Sequence, residues 1–197
     1  GLASDNTAAQ FTGLDTGVPQ SADMVNIGNN PALMDSEQLT CSMLFNTSES
    51  ATEWMRMVIT DPASSNLFYL VMQQGELYLV TDGGVSAHTT ATYNDGQWHH
   101  LVAVRDGDLG SGLSLYIDGS QVGLTAPSVG GWTAGYSARI GAHSTSSTGF
   151  IGLMDEVAIW DRALSETEAL GLYSTLTVPE PAAFALLVWG GLVLLPL

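Results

Sequence analysis

The chain has no lysine. Its four cations are Arg56, Arg105, Arg139 and Arg162, against twenty Asp and Glu, giving a formal charge of −16 over 197 residues. Nucleic acids and anionic membrane surfaces both require a basic footprint, so neither is an expected partner. Cys41 is the only cysteine, which excludes an internal disulfide. Only 12% of residues are charged. The surface must therefore be built mainly from Ser, Thr, Asn, Gln and Gly, as is common outside the cell, and its acidity suits divalent cations. No Gly-x-Ser-x-Gly, no His-Glu-x-x-His and no Glu-x-Asp-x-x-Glu run occurs, so the usual signatures of nucleophilic, zinc and sandwich-fold glucanase catalysis are missing.

What is present is β structure. Short runs rich in Val, Ile, Tyr, Phe and Thr alternate in and out between Gly, Asn and Asp. The pattern predicts strands at Ala8–Phe11, Met24–Ile27, Leu39–Asn46, Glu53–Thr60, Asn66–Gln73, Glu76–Thr81, Thr89–Tyr93, Trp98–Arg105, Leu113–Ile117, Ala138–Gly141 and Phe150–Trp160. Turns fall at Gln73-Gln74-Gly75, Asn94-Asp95-Gly96 and Asp118-Gly119. Cys41 alternates with Leu39, Met43 and Phe45, which makes it an inward-facing core thiol. Trp98–Arg105 is apolar on both faces and is expected to be a central strand. Ser165 and Glu168 form a capping box for one helix, whose apolar face is Ala169, Leu170, Leu172 and Tyr173. Many short antiparallel strands argue for a two-sheet sandwich.

Three segments carry a family resemblance. They are Asn94-Asp95-Gly96-Gln97-Trp98-His99-His100-Leu101-Val102-Ala103-Val104, Leu113-Ser114-Leu115-Tyr116-Ile117-Asp118-Gly119, and Phe150-Ile151-Gly152-Leu153-Met154-Asp155-Glu156-Val157-Ala158-Ile159-Trp160-Asp161-Arg162-Ala163-Leu164-Ser165. In this order and spacing they resemble a laminin G-type, pentraxin-like domain of the concanavalin A-like group. The resemblance implies an all-β, two-sheet antiparallel jelly roll with one short helix, over residues 1–175. It further implies a non-catalytic module that binds glycan, exopolysaccharide or a surface protein, in many members with Ca²⁺. By the same resemblance, Asp155 would join an early acid such as Asp15 or Asp23 in one calcium site. Asp82 and Asp95, near the loop after Ile140, would form another at the rim. The alternatives are a structural matrix protein without a discrete ligand and, less favoured, a glycoside hydrolase whose carboxylates come from separate strands.

Other site readings rest on the residues alone. Trp132 and Tyr136, in the Gly-rich stretch 130–135, are the candidate sugar platform, or else a plug over the sandwich end. His99 and His100 point to opposite faces of a strand and so do not chelate one ion together; both read as sheet histidines with partners. His88 and His143 lie in loop-like stretches that assign them no role.

The C-terminal twenty residues differ from the rest. Pro179-Glu180-Pro181 is followed by Ala182–Leu197 without a single charge. As a helix, that run reaches about 24 Å, against about 30 Å for a bilayer core. The pattern resembles a PEP-CTERM sorting signal, which implies an exosortase-type processing enzyme, a transient membrane anchor and a final place on the outer surface or in the matrix of a Gram-negative-type bacterium. Residues 176–181 are expected to form a stalk and 182–197 the sorting segment. Such tails normally end in a basic cluster, which is missing after Leu197, so the sequence is expected to be cut short or the tail degenerate. An export leader is expected ahead of Gly1.

Overall fold

The computed structural model describes residues 8–14, 23–29, 38–61, 68–81, 86–107, 112–126, 137–142 and 148–177. The tail, including Pro179, Glu180 and Pro181, lies outside the described residues. Among the described residues, no helix is long and apolar enough to cross a membrane.

Twelve strands and one helix are described. The strands are β1 (Ala9–Leu14), β2 (Val25–Asn29), β3 (Gln38–Asn46), β4 (Met55–Asp61), β5 (Tyr69–Gln73), β6 (Glu76–Val80), β7 (Ser86–His88), β8 (Trp98–Asp106), β9 (Gly112–Ile117), β10 (Ser120–Ala126), β11 (Ser137–Ile140) and β12 (Thr148–Trp160); the helix is α1 (Glu166–Thr177). One layer, sheet A, runs β1-β12-β3-β8-β9-β10. The other, sheet B, runs β7-β6-β5-β4-β11-β2. The layers meet where β10 pairs with β7 through Leu124 and His88. They meet again where β12 pairs in parallel with β4 through Gly149 and Arg56. This is the expected all-β sandwich with one helix.

The inner faces follow from alternation. Leu39, Cys41, Met43 and Phe45 of β3, Leu101 and Ala103 of β8, and Leu113 and Leu115 of β9 enter one core with Met55, Met57 and Val58 of β4, Leu70 and Met72 of β5, and Leu77 and Leu79 of β6. Each fully buried side chain of this size contributes about 1.5–3 kcal/mol. Cys41 is buried as expected, and burial pushes its thiol up to about 12, so it is an inert core group.

The outer face of β8 is also apolar. Val102 and Val104 form a second cluster with Tyr116 and Ala169, against which Ala163, Leu170 and Leu172 pack. The helix thus covers sheet A, and β8 is central as its two apolar faces predicted. The capping box forms as expected: the Glu168 N–H donates to Ser165 Oγ at 3.3 Å, and the Ser165 N–H donates to Glu168 Oε2 at 2.9 Å. The helix extends to Thr177, so it takes in the start of the expected stalk. Ser174 Oγ donates to the Gly171 carbonyl and Thr175 Oγ1 to the Leu172 carbonyl, each at 2.7 Å, which keeps these hydroxyls on the helix.

Two strands depart from expectation. Thr89–Tyr93 is not a strand; the ladder lies just before it, at β7. Thr89 Oγ1 accepts the Leu77 N–H at 3.0 Å and donates to the Ala91 carbonyl at 2.9 Å, which turns the chain off the sheet. β10 was not predicted, because Ser120, Gln121, Gly123 and Thr125 dilute its apolar signal. Gly123 serves packing: it has φ +77°, and a Cβ there would collide with the His88 carbonyl oxygen.

Candidate functional site

The outer face of sheet B bears a row of side chains set by strand register. Arg56 of β4 pairs with Val71 of β5, Val71 with Tyr78 of β6, and Tyr78 with His88 of β7. Leu77 and Leu79 point into the core, so Tyr78 between them points out. Trp54, just ahead of β4, reaches the same row. Its ring lies 6.3 Å from Tyr78 with 15° between the planes, and Tyr78 lies 5.5 Å from His88 with 13° between them. The three rings are half-buried. They form a stack, with Tyr78 between Trp54 and His88.

Polar groups fix the stack. Arg56 Nη1 donates to the Trp54 carbonyl at 3.2 Å, holding the backbone that presents the indole. Burial lowers the Arg56 pKa, an effect opposed by Tyr69 and Glu53 nearby. Tyr78 OH donates to Glu76 Oε2 at 2.7 Å, and this bond raises the phenol pKa. His88 Nδ1 is buried and has no hydrogen-bond partner among the described residues. Arg139 of β11, opposite Ile59 of β4, stands on the same side of the sheet. Aromatic side chains beside a few placed polar groups are a common composition of small-ligand sites.

The residues singled out from the sequence fall elsewhere. Asp82, Trp132, Tyr136, Asp15 and His143 lie outside the described residues. Asp95 is engaged within the chain: Oδ1 accepts the Gln97 N–H at 2.9 Å and faces His99 Nε2 at 3.1 Å. These two contacts hold its carboxyl below the usual range, the Gln97 N–H more than the imidazole. His99 Nδ1 lies 2.7 Å from Asp118 Oδ2, so the ring bridges two carboxylates. His100 points the other way, with Nε2 2.8 Å from Ser42 Oγ and its ring stacked on Tyr173. The two histidines are therefore partnered on opposite faces, as expected.

Asp155 sits on β12 beside a bulge. One extra residue, Glu156, lies at φ +51°, and the β3 register moves from Leu44 to Ser42 while β12 advances from Asp155 to Ala158. Asp155 Oδ1 accepts the Glu156 N–H at 2.9 Å; Oδ2 is buried without a partner among the described residues. Asp23 does not join it. Asp23 Oδ2 accepts Thr12 N–H at 2.9 Å and Thr12 Oγ1–H at 2.6 Å. Thr12 pairs with Ile151, four residues from Asp155 and so about 13 Å away along the strand. Among the described residues no three His, Cys, Asp or Glu side chains gather in a metal-binding group. An orphaned buried carboxylate oxygen fits a hard cation at Asp155. At Asp95, Oδ1 is already engaged by Gln97 and His99.

Trp54, Tyr78 and His88 were not singled out from the sequence. The available signal was Tyr78 between Leu77 and Leu79; nothing in the local pattern brings Trp54 or His88 to it.

The chain is similar in fold to several solved structures. Domain 4 of an extracellular arabinanase from Geobacillus stearothermophilus, in complex with arabinotriose, superposes with TM-score 0.67 at 19% identity, over 87% of this chain and 78% of that one. A native heptameric SAP-like pentraxin from Limulus polyphemus gives 0.65 at 18%, over 83% and 80%. The CBM40 domain of a Ruminococcus gnavus IT-sialidase gives 0.62 at 12%, over 85% and 98%. Comparison with curated proteins finds no match. By sequence, residues 19–169 match the laminin G-type family described as the concanavalin A-like lectin/glucanases superfamily. With the sandwich and its strand order, that match makes this chain a member of the concanavalin A-like lectin/glucanase superfamily.

Proposed function

We propose that this domain is a non-catalytic carbohydrate-binding module, and that its ligand surface is the outer face of sheet B. The observation that carries this reading is the half-buried aromatic stack of Trp54, Tyr78 and His88 on the sheet face opposite the helix. Fold similarity to an arabinanase domain in complex with arabinotriose supports it. The acidic surface, without a basic footprint, favours a sugar over a nucleic acid.

Two further parts belong to the proposal. Asp155 holds Ca²⁺ through its otherwise orphaned Oδ2, since a hard cation offsets the penalty of a buried, unpaired carboxylate oxygen. The protein is exported and retained at the cell surface by its Pro179-Glu180-Pro181 break and apolar tail, processed by an exosortase-type enzyme.

The test is a glycan and polysaccharide array probed with the full chain, with parallel Ca²⁺ and EDTA arms. Specific sugar binding is expected, and its absence from every spot in both arms overturns the carbohydrate reading. For calcium the readout is melting. At a hundredfold excess over Kd, Ca²⁺ should add about 2.7 kcal/mol, and Asp155→Asn should abolish that gain. An unchanged gain in the variant removes Asp155 from the calcium proposal.

A further inference from the structure

Beside the helix on sheet A lies a cleft of about 450 Å³, between α1 and the end of β12. Its size falls within the usual range of small-ligand sites. We infer that this cleft is a second sugar site, separate from the stack on sheet B. It takes a neutral saccharide, with the apolar face of the sugar on Trp160 and its hydroxyls on Arg162 and Glu168. The class of ligand rests on the carbohydrate-binding reading above.

The floor of the cleft is set by register. Ile159 pairs with Cys41 and packs on the core, so Trp160, opposite Thr40, points to the outer side of sheet A. The indole is half-buried, and Leu164 and Leu172 line the cleft with it. The rim is polar. Arg162 Nη1 donates to Glu168 Oε2 at 3.0 Å, and Nη2 donates to Oε1 at 2.8 Å. Ser165 N–H and Oγ–H each donate to Glu168 Oε2 at 2.9 Å, so the helix cap holds the carboxylate in place. These bonds, that of Arg162 first, bring the Glu168 carboxyl down to about 2 and keep it an ionised acceptor. The two side chains are 48% and 45% exposed. A pair so exposed adds little to stability. Its remaining N–H groups and lone pairs offer donors and acceptors side by side to neighbouring hydroxyls.

Gly171 independently points to a ligand. Glycine is a poor helix former, yet this one stands inside α1. Neither conformation nor packing within the chain accounts for it: its φ is not positive, and a Cβ there would meet nothing within 4 Å. Gly171 lines the cleft, one turn from Glu168 and one from Thr175. A missing side chain at such a place lets a ligand approach the backbone. Charge then selects the neutral class. The Arg162 guanidinium is already matched by Glu168, and the chain carries −16, so an acidic sugar finds no unmatched cation in the cleft.

NMR titration of the full chain tests this at the indole N–H of Trp160, which is identified by its loss in Trp160→Phe. The probes are cellotriose, xylotriose and laminaritriose, with trigalacturonic acid as the charged arm. At least one neutral trisaccharide should shift this resonance saturably. Trigalacturonic acid should bind at least about tenfold more weakly. Gly171→Leu, which fills the cleft, should weaken the neutral binding at least about tenfold. Its Tm should be at or above that of wild type, because leucine is the better helix former. Trp54→Ala, in the stack on the other sheet, should leave the Trp160 titration unchanged.

An unmoved Trp160 with all three neutral trisaccharides overturns the inference. So does tighter binding of the acid, wild-type affinity or a lowered Tm in Gly171→Leu, or loss of the Trp160 response in Trp54→Ala. If the array shows sugar binding, the carbohydrate reading stands although the cleft fails. A blank array together with an unmoved Trp160 overturns both.

Discussion

On the outer side of sheet A, His100, Val102, Val104 and Tyr116 lie beneath α1; on the outer side of sheet B, Arg56, Val71, Tyr78 and His88 form a row with no described helix above it. Both rows arise from the same period-2 alternation. They differ in what the chain does next. Sheet A has a covering element that follows β12 after a short link and docks by its apolar stripe, with Thr40 as the fastener. Thr40 Oγ1 donates to the Arg162 carbonyl at 2.8 Å and accepts the Leu164 N–H at 3.0 Å. Its aliphatic residues are fully enclosed. Sheet B keeps Arg56, Tyr78 and His88 half-buried in its outer row, while Val71 between them and Ile59 opposite Arg139 are as enclosed as the residues under the helix. The helix seals the one face, and the other is enclosed at its aliphatic positions and half-open at its polar and aromatic ones.

A charge placed under the helix should break this contrast most strongly. Val102 is completely buried, so Val102→Asp should cost about 3 kcal/mol or more. That is roughly 6–12 °C in Tm by thermal melting. Glycine substitutions sharpen it next. Gly119 has φ +72°, and a Cβ there would sit 2.5 Å from Tyr173 Cδ1, whereas Gly171 on the same helix as Tyr173 has open space around it. Gly119→Ala should therefore destabilise by about 1–3 kcal/mol, and Gly171→Ala should stabilise by about 1 kcal/mol. Opposite signs in chemical denaturation check both.

Titration of His100 should give a smaller effect. Burial lowers its pKa from 6.5, with Asp118 acting in the opposite direction. The unfolded chain then takes the proton first, so stability is full above pH 6.5 and falls as the pH drops below it. His100→Gln should flatten the part of the pH 7-to-5 decline in Tm that wild type shows and the variant lacks. Equal declines would remove His100 from the cause. The smallest stability effect belongs to sheet B: Tyr78→Ala should change stability by less than about 1 kcal/mol while it removes ligand affinity. A large loss of stability there would mean that the row is packing rather than a contact surface.

Much of the sandwich was legible because alternation is a local property. Leu39, Cys41, Met43 and Phe45 announce one buried face, and Trp98–Asp106 announces two. The capping box of Ser165 and Glu168 is equally local. Thr89–Tyr93 misled because its β-rich composition resembles a strand, while a Thr89 side-chain bond to Leu77 ends the ladder there. β10 was missed because Gly123 weakens its pattern, although that glycine is what lets β10 approach β7. Of the two early acids offered for the Asp155 site, Asp23 is held by Thr12, a contact made in space that the sequence does not show, and Asp15 lies outside the described residues.

By itself, the sequence determined the class of fold, the inward faces, the turns and the helix cap, since each depends on composition or on residues a few positions apart. Tertiary structure alone decided which outer face the helix covers, and it alone assembled Trp54, Tyr78 and His88. Those three residues are separated along the chain; Tyr78 and His88 become neighbours through strand register and Trp54 through the segment leading into β4, and long-range pairing of that kind is encoded in no local pattern.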